Sequence, residues 1–268
     1  MAPSRSSSER GVKQTPIDRP RRGIPLRAVA PNAVTALALC TGLTGVRFAI
    51  GGDWEKAVAA VVVAGILDGM DGRIARMLKG ESRFGAELDS LSDVVAFGVA
   101  PSVILFLWSL QNLPQFGWVI ALMHAACCAL RLARFNAQID ATEQPHKSAG
   151  FLTGVPAPSG AGLALLPIFL WLATGLDILR SPLVTAPWMA LIAFLMISSV
   201  ATYSWTSLRL RRNIRFEALA LVALLGAALL SAPWATLSVI SIAYIAAIPF
   251  SIRSYARVRR LRAASQPA

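Results

Sequence analysis

Four aspartates in this chain are spaced so that they could act together: Asp68 and Asp71 stand three residues apart, Asp89 and Asp93 four apart. On helices, each spacing puts both carboxylates of a pair on one face. They lie in the stretch LDGMDGRIARMLKGESRFGAELDSLSD, residues 67–93, which also carries Glu81 and Glu87. Strongly apolar runs flank it, Ala57–Leu67 before and Val94–Leu110 after. A carboxylate among membrane-length apolar segments costs roughly 2.5–3.5 kcal/mol on insertion scales, so its presence points to function. Four carboxylates converging in a low-dielectric setting need cations to stay ionised. Hard oxygen ligands suit Mg2+ or Mn2+, and four of them suit a pair of ions about 3.5–4 Å apart.

The surrounding residues fit an anionic ligand. Gly72 and Gly85 lie on or beside the acidic faces, where a missing side chain would let a ligand reach the backbone. They read equally as close-packing glycines between helices. Arg76, one turn beyond Gly72, could neutralise part of a pyrophosphate.

The elements that must carry these groups follow from composition. The 268 residues are 55% hydrophobic and only 15% charged, against about 25% charged in soluble domains. With a mean hydropathy of +0.58, the chain reads as an all-α, polytopic membrane bundle. The net charge of +12 does not imply a nucleic-acid partner, because the cations fall at the edges of apolar runs. The lipid bilayer and its anionic surface are the partners they suit. Cys40, Cys127 and Cys128 all sit inside apolar runs without metal-site spacing, and read as small buried side chains. His124, alone on an apolar helix, and His146, in a polar loop, are not read as catalytic.

Residues 1–28 read as a disordered basic tail, residues 29–252 as the membrane domain and residues 253–268 as a second basic tail. Pro31 is expected in the first turn of a helix ending near Ile50. The next helix starts near Trp54, and its uninterrupted apolar part, Ala57–Leu67, is shorter than the about 20 residues a span needs. It must therefore continue through Asp68, Asp71 and Arg76 to about Lys79. The break Lys79–Ser82 follows, with Ser82 as N-cap of a third helix running to Leu110. Further helices are expected over Trp118–Phe135, Gly154–Leu176, Trp188–Trp205, Phe216–Leu230 and Trp234–Ile252. With about eight spans and both termini cytoplasmic, all Lys and Arg except Arg47, Lys56 and Arg180 fall on the inside. That arrangement makes the chain an integral multi-pass protein, of the cell membrane if prokaryotic, with its acidic stretch facing the cytoplasm.

The pattern Asp68-x2-Asp71-Gly72-x2-Ala75-Arg76-x8-Gly85-x3-Asp89-x3-Asp93 resembles in full the signature of the CDP-alcohol phosphatidyltransferases. The resemblance implies transfer of a phosphatidyl group from a CDP-lipid to an alcohol, with release of CMP. It implies that Asp68, Asp71, Asp89 and Asp93 hold two divalent cations, Mg2+ or Mn2+, and that Asp93 is also the general base. Gly72, Arg76, Ser82 and Gly85 would contact the CDP-diacylglycerol. Pro31-Asn32-x2-Thr35 resembles the family's first-helix motif near the nucleotide. Three further segments, Phe97–Pro101, Arg131–Asn136 and Gly154–Pro158, are similar to the phosphatidylserine synthase branch. That similarity implies serine as acceptor, for whose carboxylate Arg131 and Arg134 are the candidate partners. A homodimer is expected on the same ground. Sister enzymes using glycerol 3-phosphate, an inositol compound or choline remain alternatives. An ion-coupled transporter is a remote one, disfavoured by the single occurrence of the Asp pattern.

Overall fold

The computed structural model describes residues 26–80, 82–137, 151–203 and 215–264. The basic tail up to residue 25, Glu81, the loop carrying His146, Trp205 and the last four residues lie outside them. Two long helices open the chain, α1 (Leu26–Ile50) and α2 (Trp54–Leu78), joined by a tight turn through Gly51–Asp53. They pack along their length because α1 is small-sided where they cross. A Cβ on Gly45 would come within 2.8 Å of the Ala57 carbonyl of α2, and one on Gly42, which faces the segment after Asp93 instead, within 3.0 Å of Ala96 Cα. α1 starts earlier than its proline suggested, so Pro31 lies inside the helix rather than at its opening.

α2 continues past its apolar part, as its length required. It ends where Lys79 turns left-handed at φ 50° and the Gly80 N–H returns to the Ala75 carbonyl at 3.0 Å. Ser82 then caps α3 (Arg83–Asp93), its Oγ accepting the Gly85 N–H at 3.0 Å.

The expected single third helix is divided. A π-helical turn, Val94–Val99, separates α3 from α4 (Ala100–Trp108). Pro101 has no N–H for the Phe97 carbonyl and its ring would crowd that oxygen, which favours a widened turn just ahead of it. α5 (Gly117–Ala137) packs on this turn. α6 (Ala157–Ala164) and α7 (Leu166–Thr174) form one apolar segment bent by 42°. α8 (Pro182–Ile197) begins and ends earlier than expected. It stops because Ala201–Tyr203, rich in strand-favouring side chains, pairs antiparallel with Phe151–Thr153. α9 (Arg215–Ser231) and α10 (Pro233–Ala264) complete the fold, α10 running past the expected boundary at residue 252.

Among the described residues, Val29–Ile50, Arg83–Trp108, Gly117–Ala137 and Pro233–Ala256 are long and apolar enough to cross a membrane. The bent α6–α7 pair gives a fifth such segment. The core lies between them, with Phe97, Ile104, Leu105, Trp108, Leu165, Ile168, Phe169, Met189 and Ile192 fully buried. At the Trp54 end of α2, far from the aspartates, Arg180 lies over the Trp54 and Trp171 rings and donates to the Trp108 carbonyl at 3.0 Å. That contact ties the ends of α2, α4 and α7 together and leaves the other end of α2 to the chemistry.

Candidate functional site

The site forms where the C-terminal part of α2 meets α3 across α1. Asp68 and Asp71 project from one face of α2, and Asp89 projects from α3. One oxygen of each lies within 4.8 Å of the others. Asp93, one turn beyond Asp89, brings its carboxyl within hydrogen-bonding range of Asp68. The short link between α2 and α3 keeps their ends close, and both helices pack on α1, which lines up their acidic faces.

α1 fixes the cluster from behind. The Thr35 hydroxyl donates to Asp71 Oδ2 at 2.6 Å, and Asp71 is only 4% exposed. Ser92 Oγ donates to the Thr35 carbonyl at 3.2 Å, so one residue of α1 ties both acidic helices. Asn32, one turn before Thr35, packs against α3. A Cβ on Gly85 would come within 2.8 Å of Asn32 Oδ1 and 3.1 Å of Ser82 Oγ. Gly85 is therefore a contact between helices as well as a signature position. Gly72 is more open, with the Arg76 guanidinium 3.7 Å from where its Cβ would stand. Arg76 thus covers the glycine beside the cluster, and Pro31 is buried one turn below Thr35.

Charge decides what this arrangement can hold. Among the described residues the only ion pair is Lys56–Asp53, and none of the four aspartates has a lysine or arginine within salt-bridge distance. Two unit charges 4 Å apart repel by about 4 kcal/mol at an effective dielectric of 20. Three such pairs approach the whole stability of a domain, about 5–15 kcal/mol. The donor set is all carboxylate oxygen, and Asp93 Oδ1 is buried without a hydrogen-bond partner among the described residues. Hard oxygen donors in excess of local cations fit a divalent ion such as Mg2+ or Mn2+.

The two arginines of α5 part company. Arg131 is half-buried, lies within electrostatic range of Asp93 and of Tyr244 on α10, and leaves its Nε buried without a partner among the described residues. Arg134 is exposed, and its Nη1 donates to the Ile197 carbonyl at 2.9 Å, satisfying the C-terminal end of α8. Sequence reasoning passed over Ser92, which follows Asp89 by three and so shares its face, and Asn136, whose Nδ2 donates to Ser90 Oγ at 2.9 Å.

Residues 28–205 match the family model described as CDP-alcohol phosphatidyltransferase. The chain belongs to that family. Residues 213–249 match a second model, CDP-alcohol phosphatidyltransferase 2, which extends the likeness into α9 and α10. A CDP-diacylglycerol–serine O-phosphatidyltransferase of Mycobacterium tuberculosis (strain ATCC 25618 / H37Rv) is 39% identical over 88% of this chain and 82% of its own length. The protein of that name from Helicobacter pylori (strain J99 / ATCC 700824) is 39% identical over 52% of this chain and 57% of its own. One from Methanocaldococcus jannaschii is 35% identical over 62% and 70%. The family is divalent-metal dependent, which fits the all-carboxylate donor set of the cluster.

Proposed function

We propose that this enzyme transfers the phosphatidyl group of CDP-diacylglycerol to L-serine, giving phosphatidylserine and CMP. The observation that carries the reading is the convergence of Asp68, Asp71 and Asp89 beside an unpartnered, buried Asp93 Oδ1. The names of the relatives support serine as the acceptor. In this reading, two divalent cations held by Asp68, Asp71, Asp89 and Asp93 supply charge neutralisation for the pyrophosphate and the departing CMP.

The chain's own residues do the rest. Arg76 and the open backbone at Gly72 receive the phosphates, while Pro31, Asn32, Thr35, Ser82 and Gly85 shape the nucleotide side. Asp93 takes the proton from the serine hydroxyl. The serine oxygen then forms its bond to the phosphorus bearing diacylglycerol as the bond to CMP breaks. Arg131 receives the serine carboxylate, and Arg134 holds α5 to α8 so that Arg131 keeps its place. Eight spans with both termini cytoplasmic, an active site at the cytoplasmic face and a homodimer complete the proposal. The distribution of Lys and Arg supports the topology.

The test is to incubate membranes containing the protein with CDP-diacylglycerol, Mn2+ and one labelled alcohol at a time. CMP release with serine and with no other acceptor is expected. Release with glycerol 3-phosphate, an inositol compound or choline, and none with serine, would overturn the acceptor.

A further inference from the structure

His124 is fully buried in α5, and the chemistry above does not use it. Its surroundings give it a task. Nδ1 lies 3.0 Å from Ser102 Oγ, and the Ser102 hydroxyl donates to the Gly98 carbonyl at 2.7 Å. With the serine proton committed to that carbonyl, the serine oxygen is left to accept, and Nδ1 must carry the hydrogen. Nε2 is then a bare acceptor, buried without a partner among the described residues. Leaving a buried acceptor unpaired costs about 1–3 kcal/mol, so a stability role alone is a poor reason to keep histidine here.

Gly98 belongs to the π-helical turn that begins directly after Asp93. A π turn holds an extra residue, and one residue of helix is about 100° of rotation. Downstream, α4 is locked into the core by Ile104, Leu105 and Trp108, all 0% exposed. Upstream, Asp89 and Asp93 must face α2. Without the extra residue, a core-locked α4 would turn Asp93 away from Asp68 by that angle. The widened turn reconciles the two demands. It is pressed against α5, where a Cβ on Gly98 would stand 3.1 Å from Cys128 Cβ and 3.2 Å from its Sγ.

We infer that His124 is a positioning residue: through Ser102 and the Gly98 carbonyl it pins the π-helical turn that aims Asp93 at Asp68. It touches no substrate. The inference rests on the proposed role of Asp93.

The experiment uses the full chain, purified in detergent and assayed with CDP-diacylglycerol, serine and Mn2+. His124→Leu, which removes both ring nitrogens, is expected to lower kcat about 10- to 100-fold, the scale on which small misplacements act. Both substrate KM values should stay unchanged, whereas the half-saturating Mn2+ should rise, because the misaimed Asp93 is also placed among the metal ligands. His124→Asn keeps an amide donor where Nδ1–H stood and should recover most of kcat, whereas His124→Gln, which places its amide where Nε2 stood, should not. If His124→Leu does not fold, Ser102→Ala decides: a similar fall in kcat is expected, and full kcat overturns the inference. Equal losses in His124→Asn and His124→Leu would also overturn it. Asp93→Asn, run in parallel, separates the two readings. If it is fully active, the role of Asp93 falls and the inference with it. If it is inactive beside a His124→Leu protein of full kcat, the inference alone falls.

Discussion

Thr35→Val is the most discriminating single change at this site. Valine keeps the β-branched shape of threonine and almost its volume, so α1 should pack as before. What disappears is the hydroxyl that donates to Asp71 Oδ2 at 2.6 Å. The same oxygen lies 3.1 Å from the Pro31 carbonyl, but one proton serves one acceptor well, and the shorter contact to a carboxylate claims it. A hydrogen bond to a charged group contributes about 1.5–3 kcal/mol. If Asp71 is a metal ligand, that energy orients a ligand, and losing such an outer contact typically weakens metal affinity about 10- to 100-fold. The expected result is therefore a rise of that size in half-saturating Mn2+, with kcat at saturating Mn2+ reduced far less. The assay is CMP release against a Mn2+ titration, with the serine and CDP-diacylglycerol concentrations held fixed. An unshifted Mn2+ curve would refute the reasoning, because it would mean that Thr35 orients no ligand. A collapse of kcat at every Mn2+ concentration would refute it differently, by making the threonine part of the reaction.

Other perturbations probe the rest of the site. Gly85→Ala places a methyl within 2.8 Å of Asn32 Oδ1 and 3.1 Å of Ser82 Oγ and should displace both side chains, raising KM for CDP-diacylglycerol and, through the lost α3 cap, lowering the melting temperature. Thermal melts and initial rates on one preparation check both. Arg131→Ala should raise the serine KM by about 10-fold or more, the cost of losing a charge-assisted contact, and leave KM for CDP-diacylglycerol unchanged. Arg134→Ala should instead lower stability with little effect on serine KM, since its guanidinium holds the end of α8. Removing divalent cations with a chelator should lower the melting temperature, because the unneutralised carboxylates repel, and Mn2+ at 100 times its Kd should restore about 2.7 kcal/mol.

What could be read from the residues divides along a physical line. Spacing along a helix is local geometry, so Asp68 with Asp71, and Asp89 with Asp93, were visible as paired faces. The short apolar run before Asp68 likewise required α2 to carry its acids into the bundle. The capping of α3 by Ser82 followed from a side chain meeting its own backbone three residues on. By contrast, the apolar run from Val94 to Leu110 is continuous, and Pro101 announces a disturbance without saying whether the helix bends, breaks or widens. The end of α8 at Ile197 depended on a distant partner, Phe151–Thr153, and no local pattern announces a pairing across nearly 50 residues. Arg131 and Arg134 are three apart on one helix, yet one reaches toward the aspartates and the other to a helix end. That choice is made by α8, not by α5.

The same division explains why the site needs α1 at all. Signature residues on α2 and α3 supply the negative charge, but converging carboxylates repel and would splay the two helices that bear them. Thr35 answers this with a single residue: its hydroxyl holds Asp71 and its carbonyl receives Ser92, the neighbour of Asp93. Asn32 adds a close contact at Gly85 one turn away. A Cβ at Gly85 would stand 2.8 Å from Asn32 Oδ1, so the Asn32 side chain of α1 rests directly on the α3 backbone. Cations can neutralise the charge, but they cannot set the separation of three helices in advance of their own binding. The contacts of α1 do that, which is why a first-helix motif without any charge belongs to a site whose chemistry is all charge.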